Sequence, residues 1–171
     1  MAKRWLPWVA GAGLFCACVQ SDHRYFGYNR RGLESGELAA TQKELDEVQR
    51  KINSGELPKI QFEFDSAEIT EESYPTLDAV ADILLRHPEL KLVVLAHTCN
   101  MGGEDYNLKL SKRRGLAVEH YLVKKGIPPP FIHHIGKGLS EPIADNSTEQ
   151  GRSKNRRVEF RVTDRDWESV Y

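Results

Sequence analysis

The run Leu92-Val93-Val94-Leu95, followed shortly by Gly102-Gly103 and then by Leu108, Leu110, Leu116, Val118 and Leu122, constrains this chain more than any other stretch. Four consecutive apolar residues read as a buried strand. The later series reads as a helix with one apolar face. The glycine pair gives the chain access to positive φ, and hence to a short turn. A strand end, a loop and a helix start therefore meet at one edge of a sheet, where open α/β sheets usually keep their sites. The loop is polar and faces the positive end of a helix dipole, with Arg113 and Arg114 about two turns into the helix. Such a pocket suits a carboxylate.

The amino end reads as a targeting segment. Lys3 and Arg4 precede an apolar stretch from Trp5 to Phe15 that is broken by Pro7 and glycines. That stretch is shorter than the roughly 18 apolar residues of a membrane-spanning helix. It leads into Phe15-Cys16-Ala17-Cys18. A small residue immediately before a Cys resembles a bacterial lipobox, in which that Cys is acylated and becomes the mature amino terminus. Ala17-Cys18 fits this and Phe15-Cys16 fits it poorly, so Cys18 is the expected lipidation site. The alternative is an ordinary cleaved signal peptide or an uncleaved anchor. Val19, in place of an Asp, fits an outer-membrane destination. If Cys18 is acylated and Cys16 removed, Cys99 is the one free thiol, and no intramolecular disulfide forms.

Residues 1–18 are thus read as signal peptide, 19–57 as a tether with a short helix, 58–163 as the folded domain and 164–171 as a tail. Within the tether, Leu38, Thr41, Leu45, Val48 and Ile52 alternate at spacings of three and four, the a and d positions of a heptad seam. Two heptads admit two readings: a helix packed on its own domain or frayed in solvent, or a weak oligomerisation segment or rigid spacer from the membrane. Charge excludes one class of partner. The 24 basic and 25 acidic residues nearly cancel, and the basic cluster from Arg152 to Arg161 is balanced by Glu149, Glu159, Asp164 and Asp166. Nucleic acid is not an expected partner.

In the domain, Ile60-Gln61-Phe62-Glu63-Phe64 alternates as a first strand, ended by a turn at Asp65. Ser73 to Arg86 is a helix with Pro75 in its first turn. The strand Lys91 to Ala96, a helix from about Asn107 to Lys125, and a third strand from Phe131 to Gly136 follow. Gly136-Lys137-Gly138 opens the next loop, and Val158, Phe160 and Val162 alternate as a last strand. The order β-α-β-α-β-β implies an α+β fold: a two-layer sandwich with helices on one face of a mixed sheet. His133 and His134, adjacent on a strand, should point to opposite faces and so cannot chelate one metal; no metal site or cofactor is expected.

The motifs resemble those of the OmpA-like carboxy-terminal domain shared by outer membrane protein A and the peptidoglycan-associated lipoprotein. His97-Thr98, Gly102, Tyr106-Asn107, Leu110-Ser111 and Arg114 fall at the family spacing, as do Phe64-Asp65-Ser66-Ala67, Gly151-Arg152 and Asn155-Arg156-Arg157-Val158-Glu159-Phe160. Two positions depart from it: Cys99 stands where the family has Asp, and Gly115 where it usually has Ala. The resemblance implies non-covalent binding of peptidoglycan through the diaminopimelate of its stem peptide. Arg114 would clasp the carboxylate, Asn107 would add amide hydrogen bonds, and Thr98 and Arg156 would line the site. It also implies an outer-membrane lipoprotein whose domain lies in the periplasm and tethers that membrane to the wall.

Cys99 is the difficulty, because the family Asp holds the ligand ammonium. A thiol gives at most a weak hydrogen bond, and losing a charge-assisted bond typically costs about 1.5–3 kcal/mol. Three readings stay open. Glu104 or Asp105 supplies the missing carboxylate; or the site has shifted toward another stem peptide; or wall binding is lost and the domain docks other envelope proteins. Cys99 as a nucleophile assisted by His97 lacks an oxyanion-hole signature and a third partner, so the expectation is a binding protein and not an enzyme.

Overall fold

A computed structural model describes residues 35–164. The targeting segment, Cys18, the tether up to residue 34 and the tail beyond Asp164 lie outside the described residues. Helix α1 (Ser35–Ser54) leads to an irregular stretch, a 3-10 turn at Glu71–Ser73 and helix α2 (Tyr74–Arg86). Strand β1 (Lys91–His97), helix α3 (Glu104–Lys124), strand β2 (Ile132–Gly138), helix α4 (Glu149–Asn155) and strand β3 (Val158–Thr163) complete it. The sheet has the order β2-β1-β3. β1 runs parallel to β2, with Leu95 opposite Ile135, and antiparallel to β3, with Val94 opposite Phe160. The fold is α+β with a mixed sheet, as the pattern predicts.

The periodicities explain the core. Val158, Phe160 and Val162 of β3 turn inward with Leu92 and Val94 of β1, and meet Leu77, Val80 and Leu84 of α2 and Val118 and Leu122 of α3. Each such side chain contributes roughly 1.5–3 kcal/mol when fully buried. The heptad seam of α1 joins the same core: Leu45, Val48 and Ile52 are buried in it, and Thr41 is fully buried with its hydroxyl on the Glu37 carbonyl at 3.0 Å. Of the two readings of this helix, packing on its own domain is the one observed. The compact unit therefore begins before residue 58.

The expected first strand is corrected. Ile60–Phe64 makes one isolated bridge, Phe62 to Ile69, within its own loop. Asp65 sits at φ +53°, a conformation Asp tolerates better than most residues, and the chain doubles back there. The Glu63 N–H bonds to the Glu68 carbonyl and the Thr70 N–H to the Gln61 carbonyl. The segment satisfies its backbone locally and leaves Phe64 almost wholly exposed. The outer edge of β3 is met instead by Gln42 of α1, which accepts from the Val162 N–H at 3.0 Å and donates to the Phe160 carbonyl at 3.4 Å.

Gly136-Lys137-Gly138 lies inside β2, where a loop was expected. A Cβ on Gly136 would stand 2.5 Å from the Lys112 backbone nitrogen, so the glycine is what lets α3 lie against the strand. Ser111 then accepts from the Gly138 N–H at 2.9 Å. The departure at Gly115 has a similar origin, since a Cβ there would come 3.0 Å from the Cβ of His134. His134 is held by Glu119 at 2.7 Å. The His133 and His134 rings lie nearly parallel with centroids 5.7 Å apart.

Candidate functional site

The loop after β1 is built from its ends inward. The Thr98 N–H bonds to the Gly138 carbonyl at 2.8 Å and ties the end of β1 to the end of β2. Gly102 takes φ +89° to turn the chain toward α3. Buried Asn107 then donates its amide protons to the carbonyls of Met101 at 2.9 Å and Gly103 at 3.1 Å. Both protons hold its own loop. Tyr106, one residue earlier, donates to the Asp65 carboxylate and fastens the 62–68 loop beside the site.

Arg114 projects from α3 toward that same loop. Its Nε donates to the Ser66 carbonyl at 3.0 Å, and its guanidinium lies over the Phe62 ring at 4.8 Å from the centroid. This fixes the plane of the guanidinium by stacking. Among the described residues no carboxylate forms an ion pair with it. Burial, and next the charge of Arg156, press its pKa below the ordinary arginine value. The two cations therefore sense each other across the site.

Arg156 follows α4. Its Nη2 meets Glu149 at 2.5 Å and its Nη1 approaches the Cys99 sulfur at 3.7 Å. Glu149 also pairs with Arg152 at 2.9 Å. Asn155 and Thr148 hold this corner for structural reasons. Fully buried Asn155 accepts from the Ile143 and Ala144 N–H groups and donates to the Ala144 carbonyl and the Asn146 side chain. Thr148 caps α4 through the Gly151 N–H at 3.0 Å.

A cleft of about 270 Å³ opens between Gln61, Phe62, His97, Arg114, Arg156 and Arg157. His97 is buried, and neither ring nitrogen has a hydrogen-bond partner among the described residues; the same holds for the Thr98 hydroxyl. Burial first, then the charge of Arg157, lowers the His97 pKa to about 4. The ring is neutral near pH 7, and it makes no bond to Cys99 that would activate a nucleophile. The structure thus brings Cys99, Arg114 and Arg156 together, with Thr98 next to Cys99 in the chain, while Asn107 supports the loop. Glu104 and Asp105 are exposed in the first turn of α3. Sequence reasoning missed Glu149, Phe62 and the buried His97 as parts of the site. Phe62 lies about fifty residues from Arg114, and no local pattern links them; Glu149 lies only three and seven residues from Arg152 and Arg156, but that spacing also suits an ordinary surface ion pair.

Sheet, loop and arginine pair together define a small ligand-binding α+β domain. The OmpA family model matches residues 61–156, and the chain belongs to that family. It is 42% identical over 103 residues to outer membrane porin F of Pseudomonas fluorescens, covering 60% of this chain and 32% of the porin. It is 36% identical over 128 residues to outer-membrane lipoprotein YfiB of Pseudomonas aeruginosa, covering 74% of this chain and 76% of that protein. The crystal structure of the peptidoglycan-associated lipoprotein from Burkholderia pseudomallei superposes with a TM-score of 0.57 at 26% identity, over 61% of this chain and 89% of that one. The chain spans about a third to a half of the length of the porins and outer membrane protein A that it matches.

Proposed function

We propose that this protein binds peptidoglycan non-covalently through a carboxylate of the stem-peptide diaminopimelate, and that a lipid on Cys18 anchors it in the outer membrane with the domain in the periplasm. The observation that carries the reading is Arg114. Its guanidinium is oriented by Phe62 and Ser66, lines an open cleft, and has no carboxylate of its own among the described residues. A fixed, partly desolvated guanidinium presents the paired donors that a carboxylate needs. Arg156 lines the same cleft, with the Cys99 sulfur 3.7 Å from its guanidinium and Thr98 next to Cys99 in the chain, and no group in the reading performs covalent chemistry. Relatives named as an outer-membrane lipoprotein and a peptidoglycan-associated lipoprotein support both the ligand and the location.

A second reading is favoured by one observation. Cys99 is buried where the family carries Asp, and a domain that has lost wall binding would serve as a docking subunit for other envelope proteins. Pull-down with purified sacculi separates the two. Retention that disappears in Arg114→Ala supports wall binding; absence of retention that Cys99→Asp restores supports the docking subunit. Mass spectrometry of the mature amino end tests the lipid: an acylated Cys18 at the first position is expected, and an unmodified residue there would remove the anchor from the proposal.

A further inference from the structure

The charges around the cleft say which form of the stem peptide it takes, an inference that rests on the wall-binding reading above. Arg114 and Arg156 bring two positive charges to the site. The carboxylate nearest to Cys99 through the hydrogen-bond network is Glu149, and it is already shared between Arg156 at 2.5 Å and Arg152 at 2.9 Å. Glu149 is therefore a poor acceptor for a further cation. Cys99 offers a thiol, a weak acceptor, and has the Arg156 guanidinium 3.7 Å from its sulfur. The Thr98 hydroxyl next to it in the chain is buried without a partner among the described residues.

The terminal centre of a stem-peptide diamino acid carries a carboxylate and an amine. When the amine is free it is an ammonium, and a carboxylate held on Arg114 brings that ammonium within several ångströms of a second guanidinium. When the amine is acylated, as it is where two stems are cross-linked, the positive charge is gone. The amide then offers a carbonyl, which accepts from a guanidinium or a hydroxyl, and an N–H, which a thiol sulfur accepts weakly. We propose that this site selects a diamino acid whose terminal amine is acylated, as in a cross-linked stem, over one whose amine is free. Cys99 and Arg156 are the residues that set this preference, and Arg114 serves both forms alike.

The test uses the full chain in detergent and two synthetic probes titrated by calorimetry. One is the tripeptide L-Ala-γ-D-Glu-meso-diaminopimelate with its terminal amine free; the other is the same peptide acetylated on that amine. The acetylated probe should bind about tenfold more tightly or better, the scale of one charge repulsion at several ångströms in a partly screened site. Cys99→Asp should invert the order. Because position 99 is buried, Arg156→Gln at an exposed position gives an independent reading, and there the ratio should fall below about threefold. Equal or reversed binding by the wild-type protein, or a ratio unchanged in Arg156→Gln, overturns the inference while sacculus retention through Arg114 leaves the wall-binding reading standing. Failure to bind either probe, together with no retention on sacculi, overturns both.

Discussion

Lowering the pH from 7 to 4 probes the environment of His97. In the folded chain its imidazole is buried at the end of β1, lacks hydrogen-bond partners among the described residues, and has its pKa lowered to about 4, by burial first and then by Arg157. Lys137 opposes protonation too, whereas Glu159 and Glu141 favour it without prevailing. In the unfolded chain a histidine titrates near 6.5. Above that pH both states are neutral and the residue contributes no pH dependence. Below it the unfolded chain takes up a proton that the folded chain refuses, so stability falls with pH until the folded histidine itself titrates. Linkage gives a loss of about 0.2 kcal/mol at pH 7, about 2 kcal/mol at pH 5 and about 3 kcal/mol at pH 4. His97→Leu removes the titration and two nitrogens that make no hydrogen bond among the described residues, Nε2 lying 3.7 Å from the Glu159 carboxylate, while keeping an apolar body in place. Urea unfolding followed by circular dichroism at pH 7, 6, 5 and 4 should show the variant gaining about 3 kcal/mol on wild type across that range. Glu159 remains paired with Arg157 and Arg161 in both proteins. A stability difference that stays constant from pH 7 to pH 4 would refute the account of a histidine buried in its neutral form.

Other outcomes follow from the packing. Gly136→Ala places a Cβ 2.5 Å from the Lys112 backbone and 2.6 Å from the Ser111 hydroxyl, so α3 must retreat; a loss of about 1–3 kcal/mol is expected, whereas Gly103→Ala meets nothing within 4 Å and should leave the thermal midpoint within a degree or two. Equal midpoints for the two variants would contradict the close approach of α3 to β2. A chain beginning at residue 58 loses Leu45, Val48 and Ile52 from the core. At roughly 1.5–3 kcal/mol for each fully buried side chain, it should be far less stable than a chain beginning at residue 35. Matching denaturation midpoints would show that α1 contributes nothing to the fold.

Most of what could be read in advance was short-range. β1, α2, α3 and β3 were legible because a buried run, a helical stripe and an alternating strand each express a backbone period in neighbouring residues. The spacing from His97 to Arg114 placed a loop and an arginine at one sheet edge, and the family motifs pointed to Arg156. Two failures were of another kind. Ile60–Phe64 has the alternation of a strand, yet the turn at Asp65 and the hydrogen bonds from Glu63 and Thr70 give its backbone local partners. The Gly136-Lys137-Gly138 triplet looks like a turn, yet its glycines make room for a helix. Alternation and glycine content state what a segment permits, and the competing partner decides which permission is used.

By itself, then, the sequence determined the class of fold, the position of the polar loop after β1 and the presence of a guanidinium beside it. Tertiary structure alone decided that α1 belongs to the core, that Phe62 lies beneath Arg114, that Glu149 and Cys99 share Arg156, and that His97 is buried and neutral near pH 7. The contacts of Phe62 with Arg114 and of Cys99 with Arg156 join residues more than fifty positions apart, and the burial of α1 and His97 depends on how completely water is excluded. Backbone periodicity carries no record of either, because both arise only when separate elements close on one another.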